Sequence, residues 1–524
     1  MHPYSDRPGV RQAHTPSQNT VSSAPSCAPP DSAPPAAYFQ EDWRPDPASA
    51  LPLHVQISSC FSARISSGAW PAGMKLAPQR ELCRLLGVNR STLTTALGTL
   101  AGQGLIEGRR GGGTRVTAAG THSNNSTTPG SWSDYLEEGT HYPNLPAVQA
   151  INRLEFEPGL IRLGTGEPAP GLLPGSAMTR VLAELAARPL PPLSYEEPLG
   201  NSGLRSAVSR QLLKQGIQAD PGSILITSGA LQGLQLIALS LLPRGSTVLL
   251  EKPSYLYSIH AFQSAGVKFS ALPVDEDGMV VSRLAAEALR TKAAMLYTIP
   301  SFHNPTGVVM SEERRQALVA VSGGLGLPIL EDGAYQELWL DAPPPPPLKA
   351  LDHEGRVLHL GTLSKAASPG LRIGWIVGPE PVIRRLADIK MQTDYGASSL
   401  SQMAAARWLD GGYHEEHLTL LRGRLRERRA LMLQLLDAHF SGLASWSSPA
   451  GGFYIWLSLH RPLPLRRLFE SARRAGLLLN TGDLYDRGDS RHLRLSYAYA
   501  SPEELQSGLP ALAAIIKEPH KAWL

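Results

Sequence analysis

Short aliphatic and β-branched runs alternate with longer amphipathic segments across residues 150–518. The runs predicted as strands are Ile224–Thr227, Thr247–Leu250, Ala294–Ile299, Pro328–Glu331, Val357–Gly361 and Ile373–Val377. Because parallel strands must be joined by crossovers, usually helices, this alternation predicts a mostly parallel α/β sheet with helices on both faces. From about Tyr395 the pattern predicts a smaller C-terminal α+β lobe that includes Gly451–Leu457 and His492–Tyr497.

The excess positive charge of the chain is confined to residues 51–117. This segment has eight Lys and Arg against two Glu, whereas the 524-residue chain as a whole carries a formal net charge of +4. A small basic segment is typical of a module that binds a polyanion. Residues 1–47 contain ten prolines and no lysine, which predicts a disordered tail. The polar stretch 118–149 predicts a linker between two folded parts.

Cysteine usage and hydropathy predict the compartment. The three cysteines lie in the first hundred residues and show neither a disulfide framework nor metal-ligand spacing, which predicts a reducing cytosol and no metal site. The longest apolar run, around Leu231–Leu242, is interrupted by Gln232 and Gln235 and is too short to span a bilayer. We therefore expect a cytoplasmic protein with no membrane partner.

Residues 48–117 predict three helices followed by a β-hairpin. Apolar residues from Ile57 to Ile65 recur at helical spacing, Pro78–Leu86 forms a second helix that ends at Gly87, and Asn89 can cap a third. Two helices joined this way form a helix-turn-helix, whose second helix enters a major groove. The side chains predicted to reach DNA from this helix and from the hairpin tip, or wing, are Arg90, Ser91, Thr92, Thr94, Arg109 and Arg110.

The stretch Gly361–Trp375 places a lysine between small hydroxylated residues. A lysine that forms a Schiff base must be able to lose its proton in its site, and Lys365 is the candidate. The hydroxyls of Thr362 and Ser364 and the guanidinium of Arg372 can together hold a phosphate dianion beside it.

Further stretches fit a flat, phosphorylated ligand. A strand, the small-residue turn Ser228-Gly229-Ala230 and a helix N-terminus make a phosphate cup. Tyr255, after the next strand, can stack on a heterocycle, and Arg494 in Leu493-Arg494-Leu495-Ser496 is a further candidate. The remaining candidate residues are Tyr195, Asn304 in Asn304-Pro305-Thr306-Gly307, Asp332 and Tyr335.

In their order along the chain, these motifs resemble those of fold type I pyridoxal-phosphate (PLP) aminotransferases. The resemblance implies that Lys365 carries PLP as an internal aldimine and that Asp332 pairs with the pyridinium nitrogen. It also implies that Asn304 and Tyr335 bond the phenolic oxygen of PLP. By the same resemblance Tyr195 reaches the phosphate bound by a neighbouring subunit, and Arg494 binds the substrate α-carboxylate.

Residues 51–117 resemble the winged helix-turn-helix of GntR-type bacterial repressors, notably in Leu86–Thr92 and Gly112–Thr114. The resemblance implies that Arg80, Arg90 and the glycine-rich wing contact DNA. One position departs from the family pattern, because Ala77-Pro78 stands where Pro-Ser is usual. The missing hydroxyl would cap the helix and meet a phosphate, so we expect weaker anchoring without loss of binding.

A GntR-type winged domain joined to a fold type I domain is the architecture of the MocR subfamily of regulators, and the chain is identified as a member. The resemblance implies a PLP-dependent, DNA-binding transcriptional regulator that senses an amino acid or amine by external aldimine formation at Lys365. The implied partners are a double-stranded operator, that small-molecule effector and a second copy in a head-to-tail homodimer. The alternative is an active PLP-dependent aminotransferase with an appended DNA-binding domain, since both need the same residues.

Overall fold

A computed structural model describes residues 43–518, apart from 48, 50, 67–68, 72, 103–104, 110–112, 118–131, 133–142, 188 and 190. The chain divides into two compact units, Met1–Glu137 and Glu138–Leu524. The predicted tail lies outside the described residues up to position 42, as does most of the predicted linker.

The N-terminal unit has the predicted order of three helices and a hairpin. Its elements are α1 (Leu53–Ser66), α2 (Gln79–Leu86), α3 (Arg90–Gly102), β1 (Ile106–Arg109) and β2 (Gly113–Val116). Gly87 ends α2 in the left-handed conformation at φ 65°, which glycine adopts without steric cost. The Asn89 side chain accepts the Thr92 amide hydrogen at 2.8 Å and so caps α3, as predicted.

The core of this unit joins all three helices to the hairpin. Phe61 of α1 meets the Trp70 ring edge-on, with centroids 4.8 Å apart, and both side chains are buried together with Leu93 of α3. Trp43, which lies in the predicted tail, packs half-buried against the same core. The packed module therefore extends upstream of residue 48.

The C-terminal unit alternates helices and strands. Its helices are α4 (Pro146–Leu154), α5 (Gly175–Ala186), α6 (Ser202–Leu213), α7 (Ala230–Ser240), α8 (Ala261–Ser264), α9 (Leu284–Thr291), α10 (Glu312–Leu325), α11 (Glu380–Thr393), α12 (Ser399–Asp410), α13 (Tyr413–Phe440), α14 (Leu465–Arg474) and α15 (Pro502–Lys517). Its strands are β3 (Ile161–Arg162), β4 (Ile224–Thr227), β5 (Thr247–Lys252), β6 (Lys268–Asp275), β7 (Gly278–Met279), β8 (Met295–Thr298), β9 (Ile329–Asp332), β10 (Val357–Thr362), β11 (Gly374–Val377), β12 (Ala444–Trp446), β13 (Tyr454–Leu459), β14 (Leu477–Leu478), β15 (Asn480–Thr481) and β16 (His492–Ser496).

A mixed eight-stranded sheet has the order β4-β11-β10-β9-β8-β5-β6-β7. The central pairs are parallel, whereas β11 runs antiparallel between β4 and β10, and β7 runs antiparallel to β6. All six predicted strands are present, so the predicted mostly parallel sheet is confirmed. Strand β6 was not predicted, because it lies near the sheet edge, is only partly buried and contains Pro273.

The smaller lobe contains a four-stranded antiparallel sheet in the order β12-β13-β16-β15. The lobe also includes β3, near the start of the C-terminal unit, because β3 pairs with β14 and packs against α15. Its boundary differs from the prediction near Tyr395, because α12 packs on α5 and α6. Trp408 of α12 is buried there with Leu204 and Val208 of α6.

The described residues contain neither a membrane-spanning helix nor a cluster of metal ligands. None of the helices in these ranges is both long and apolar enough to cross a bilayer. Over the same ranges no group of three His, Cys, Asp or Glu side chains is arranged to hold a metal ion.

Candidate active site and nucleic-acid interface

Three strand ends bring the predicted phosphate ligands together. Across the sheet, Thr362 of β10 pairs with Gly374 of β11, and Gly374 pairs with Thr227 of β4. The segments that continue from β4 and β10 carry the small-residue turn and the lysine. The sheet register therefore joins two motifs that lie more than a hundred residues apart in sequence.

Lys365 lies three residues beyond β10 and is half-buried. Its ammonium donates a hydrogen bond to the Gly166 carbonyl at 2.5 Å. The nearby hydroxyls are buried: Thr362 Oγ1 donates to the Ile373 carbonyl at 3.0 Å and lies 3.0 Å from Ser364 Oγ. These bonds hold the loop that carries the lysine against the start of β11.

The predicted cup forms between β4 and α7. Gly229 has φ 90° and ψ 166°, a conformation that is essentially restricted to glycine. A Cβ atom at this position would overlap Nη2 of Arg372. Arg372 is exposed, and its Nη2 donates to the Ser228 carbonyl at 3.0 Å. Gly229 thus lets a cation lie directly against the turn, with Ala230 beginning the helix behind it.

Asp332 ends β9 as a buried carboxylate with two donors. The Tyr297 hydroxyl donates to Oδ2 at 2.8 Å, and the Ala334 amide donates to Oδ1 at 3.1 Å. Burial raises the pKa of Asp332, and these two bonds oppose the rise. Tyr297 was not predicted, although a tyrosine in a short, fully buried strand was an available signal. A cationic ring nitrogen is the partner that such a carboxylate would favour.

Arg494 is buried between two aromatic rings. Its guanidinium carbon lies 4.1 Å from the ring centre of Tyr454 and 4.8 Å from that of Tyr485. The arginine donates to Asn304 Oδ1 at 2.9 Å and to the Gly164 carbonyl at 2.7 Å. Within the described part of the chain, its buried Nε has no hydrogen-bond partner.

Tyr335 completes this group, because its hydroxyl lies 2.8 Å from that of Tyr454. Neither Tyr454 nor Tyr485 was predicted, because Tyr454 begins β13 and Tyr485 follows the turn after β15, both far along the chain from the lysine motif. Burial raises the pKa of Tyr485 to about 12, so its hydroxyl stays protonated at neutral pH.

A cavity of about 800 Å³ opens onto this group. Tyr255 and Arg494 line it, together with Glu155, which accepts the Thr165 hydroxyl at 2.9 Å. The cavity suits a flat ligand with a small organic appendage. The Gly229 cradle, the buried Asp332 and the buried Arg494 guanidinium match the phosphate, ring nitrogen and carboxylate of a PLP–amino acid pair.

Tyr195 is not brought to the site within one chain. It is exposed, and its ring packs against that of Tyr395 with centroids 4.7 Å apart. The nearby Arg205 is buried and bonds to the Gly200 carbonyl and to Glu197, so it holds this loop in place. Contact between Tyr195 and a neighbouring subunit stays a prediction.

The predicted DNA-contacting side chains lie on the surface of the N-terminal unit. Arg80, Arg90, Ser91 and Thr94 are exposed, and Thr92 is half-buried. Two of their hydroxyls have local partners: Ser91 donates to Asn89 at 2.8 Å, and Thr94 donates to the Arg90 carbonyl at 2.8 Å. The side chain of Arg109 and all of Arg110 lie outside the described residues.

The family departure at Ala77-Pro78 is visible in the structure. Pro78 is the N-cap of α2 and provides no side-chain hydrogen bond. The first turn of this helix therefore lacks the capping hydroxyl that the family pattern places there.

Comparisons with known proteins agree with both units. Residues 160–512 match the family model for aminotransferase class I and II, and residues 55–116 match that for bacterial regulatory proteins of the gntR family. The uncharacterized HTH-type transcriptional regulator YisV of Bacillus subtilis (strain 168) is 49% identical over 90% of this chain and 97% of its own length. The HTH-type transcriptional regulator NorG of Staphylococcus aureus (strain N315) is 30% identical over 85% of this chain and all of its own.

Solved structures resemble the C-terminal unit. The Pyrococcus horikoshii kynurenine aminotransferase, solved in complex with PMP, is 32% identical with a TM-score of 0.69, over 72% of this chain and 96% of its own. LysN, an α-aminoadipate aminotransferase from Thermus thermophilus complexed with a phosphopyridoxyl-leucine, is 30% identical with a TM-score of 0.67, over 74% and 98%. With its regulator relatives, its two matched domains and a site that fits PLP, the chain belongs to the MocR subfamily of GntR-type transcriptional regulators.

Proposed function

We propose that this regulator binds operator DNA as a homodimer and that an amino acid or amine, by taking the place of Lys365 on PLP, controls that binding. The observation that supports this most strongly is Arg494, a buried arginine at the PLP site whose Nε has no hydrogen-bond partner among the described residues. A carboxylate can accept two hydrogen bonds from such a guanidinium, so the site suits an amino acid better than a simple amine.

Each site residue has a role in this proposal. Bound PLP supplies an electrophilic carbon and an electron-withdrawing ring. Lys365 holds that carbon, and Asp332 keeps the ring nitrogen protonated. Ser228, Gly229 and Ala230 hold the phosphate, together with the side chains of Thr362, Ser364 and Arg372. Tyr255 covers the ring face, and Asn304 and Tyr335 bond its phenolic oxygen.

The N-terminal unit supplies the DNA reader. We propose that α3 enters the major groove with Arg90, Ser91, Thr92 and Thr94, and that Arg80 and the wing arginines bind phosphates. Two such units in a head-to-tail homodimer read two half-sites, and Tyr195 of each copy reaches the phosphate site of the other. The protein acts in the cytoplasm, where its DNA is. An effector can alter DNA binding only if it binds two arrangements of the dimer with different affinities.

A second candidate function is aminotransferase activity. It is supported by the structural likeness to aminotransferases over most of the C-terminal unit and by Lys365, which can carry a proton once it is released. The two functions differ in whether the bound amino acid is converted to a 2-oxo acid.

One titration separates these functions. The PLP-loaded protein is titrated with a panel of amino acids and amines while its absorbance is followed and 2-oxo acids are assayed. A shift in absorbance without 2-oxo acid, combined with a changed operator affinity, is the expected result. Sustained 2-oxo acid formation with an added acceptor would establish an aminotransferase, and no response to any amine would refute effector sensing.

A further inference from the structure

A carboxylate that has no role in the proposed function is hydrogen-bonded to the phosphate cup. Asp394, the residue after α11, accepts a hydrogen bond on Oδ2 from the Ser228 hydroxyl at 3.2 Å. The Gln232 side-chain amide, in the first turn of α7, donates to the same oxygen. Asp394 thus bonds to both the cup and the helix that begins behind it.

The other oxygen of Asp394 is also held. The Gly396 amide donates to Oδ1 at 3.0 Å, and the ammonium of the almost fully buried Lys390 lies 3.4 Å away. Burial raises the pKa of Asp394, but the Gln232 and Gly396 bonds and the Lys390 charge outweigh burial, so the pKa lies below its usual range. At neutral pH the group is a carboxylate whose charge is partly balanced by Lys390.

A phosphate bound in this cup and the Asp394 carboxylate compete for the same hydrogen-bond donor, the Ser228 hydroxyl. The Ser228 hydroxyl has one hydrogen, which it gives either to Asp394 or to a phosphate oxygen. A carboxylate beside a phosphate dianion also repels it, and the contact through Ser228 keeps the two charges close although Asp394 is exposed.

We propose that Asp394 is a positioning residue that weakens the hold on the cofactor phosphate, so that PLP exchanges with the free pool. By engaging Ser228 it competes with the phosphate, and its charge opposes the dianion. The cofactor content of the regulator then follows the concentration of free PLP, a second input besides the amine effector. This inference rests on the PLP site of the proposed function.

The test measures PLP affinity rather than activity. PLP-free wild-type protein and Asp394→Asn are titrated with PLP by intrinsic fluorescence, and the variant should bind PLP about tenfold more tightly. Pyridoxal, which lacks the phosphate, should bind equally to both proteins. Asp388→Asn is the matched control, because Asp388 lies on α11, the helix that Asp394 follows, and among the described residues it pairs only with Arg385 and Gln392 at the surface. Its PLP affinity should equal that of the wild type.

Unchanged or weaker PLP binding by Asp394→Asn would overturn the inference, as would an equal gain for pyridoxal. If the unpaired Lys390 prevents folding of this variant, Asp394→Asn combined with Lys390→Met removes both charges and should still bind PLP more tightly, since the negative charge that opposes the phosphate is gone. A wild-type protein that does not bind PLP would overturn the cofactor site itself and this inference with it.

Discussion

Gly229→Ala should have two effects that can be measured separately: weaker PLP binding, because the phosphate cup changes shape, and a lower free energy of unfolding. At φ 90° and ψ 166° an alanine would be strained by about 1–3 kcal/mol. Its Cβ would also overlap Nη2 of Arg372 and lie 3.0 Å from Cζ, so the guanidinium must move away from the turn.

The displacement of Arg372 sets the expected loss of PLP affinity. A hydrogen bond between charged groups contributes about 1.5–3 kcal/mol, so removing the Arg372–phosphate contact should weaken PLP binding roughly 10- to 150-fold. The backbone strain acts separately and lowers the free energy of unfolding of the PLP-free protein.

Fluorescence titration with PLP and urea unfolding of the PLP-free protein measure the two effects. Gly245→Ala is the matched control, because Gly245 has φ 84° and open space around its missing Cβ. It should lose comparable stability and keep wild-type PLP affinity. If Gly229→Ala binds PLP as tightly as Gly245→Ala, Arg372 does not hold the phosphate and the reasoning fails.

Four further predictions concern the lysine, the DNA reader, the carboxylate site and a buried histidine. Lys365→Ala should abolish the absorbance band of lysine-linked PLP while far-UV circular dichroism is unchanged; a retained band would refute the assignment. Arg90→Ala should weaken operator binding at least about tenfold with normal PLP content, and coincident footprints of variant and wild type would show that α3 is misassigned. Arg494→Lys should raise the amino acid concentration needed for the absorbance response about tenfold or more, with little change for simple amines. Burial and the charge of His414 lower the pKa of His417 from 6.5 to about 4, so between these pH values the unfolded chain binds one more proton than the folded chain. The free energy of unfolding, measured with urea, should therefore fall by about 1.4 kcal/mol per pH unit as the pH is lowered from 6.5 towards 4. In His417→Gln the fall should be less steep.

The sequence predicted the features that depend on neighbouring residues. The strand–turn–helix at Ser228, the cap at Asn89 and the turn at Gly87 follow from local backbone preferences. All six predicted strands formed, because a run of aliphatic residues buried on both faces is recognisable without knowledge of its partners. The order of motifs along the chain was enough for the family assignment.

Tertiary structure alone decided which side chains meet. Tyr297 donates to Asp332 across 35 positions, Tyr335 meets Tyr454 across 119, and Ser228 meets Asp394 across 166. No local pattern fixes such pairs, because each depends on sheet register and on how helices pack against the strands. The same reason explains the missed strand β6, which lies next to the edge strand β7 and is only partly buried, so it has no continuous apolar run. The sequence thus determined the chemistry present in the chain, and packing determined which groups surround the site.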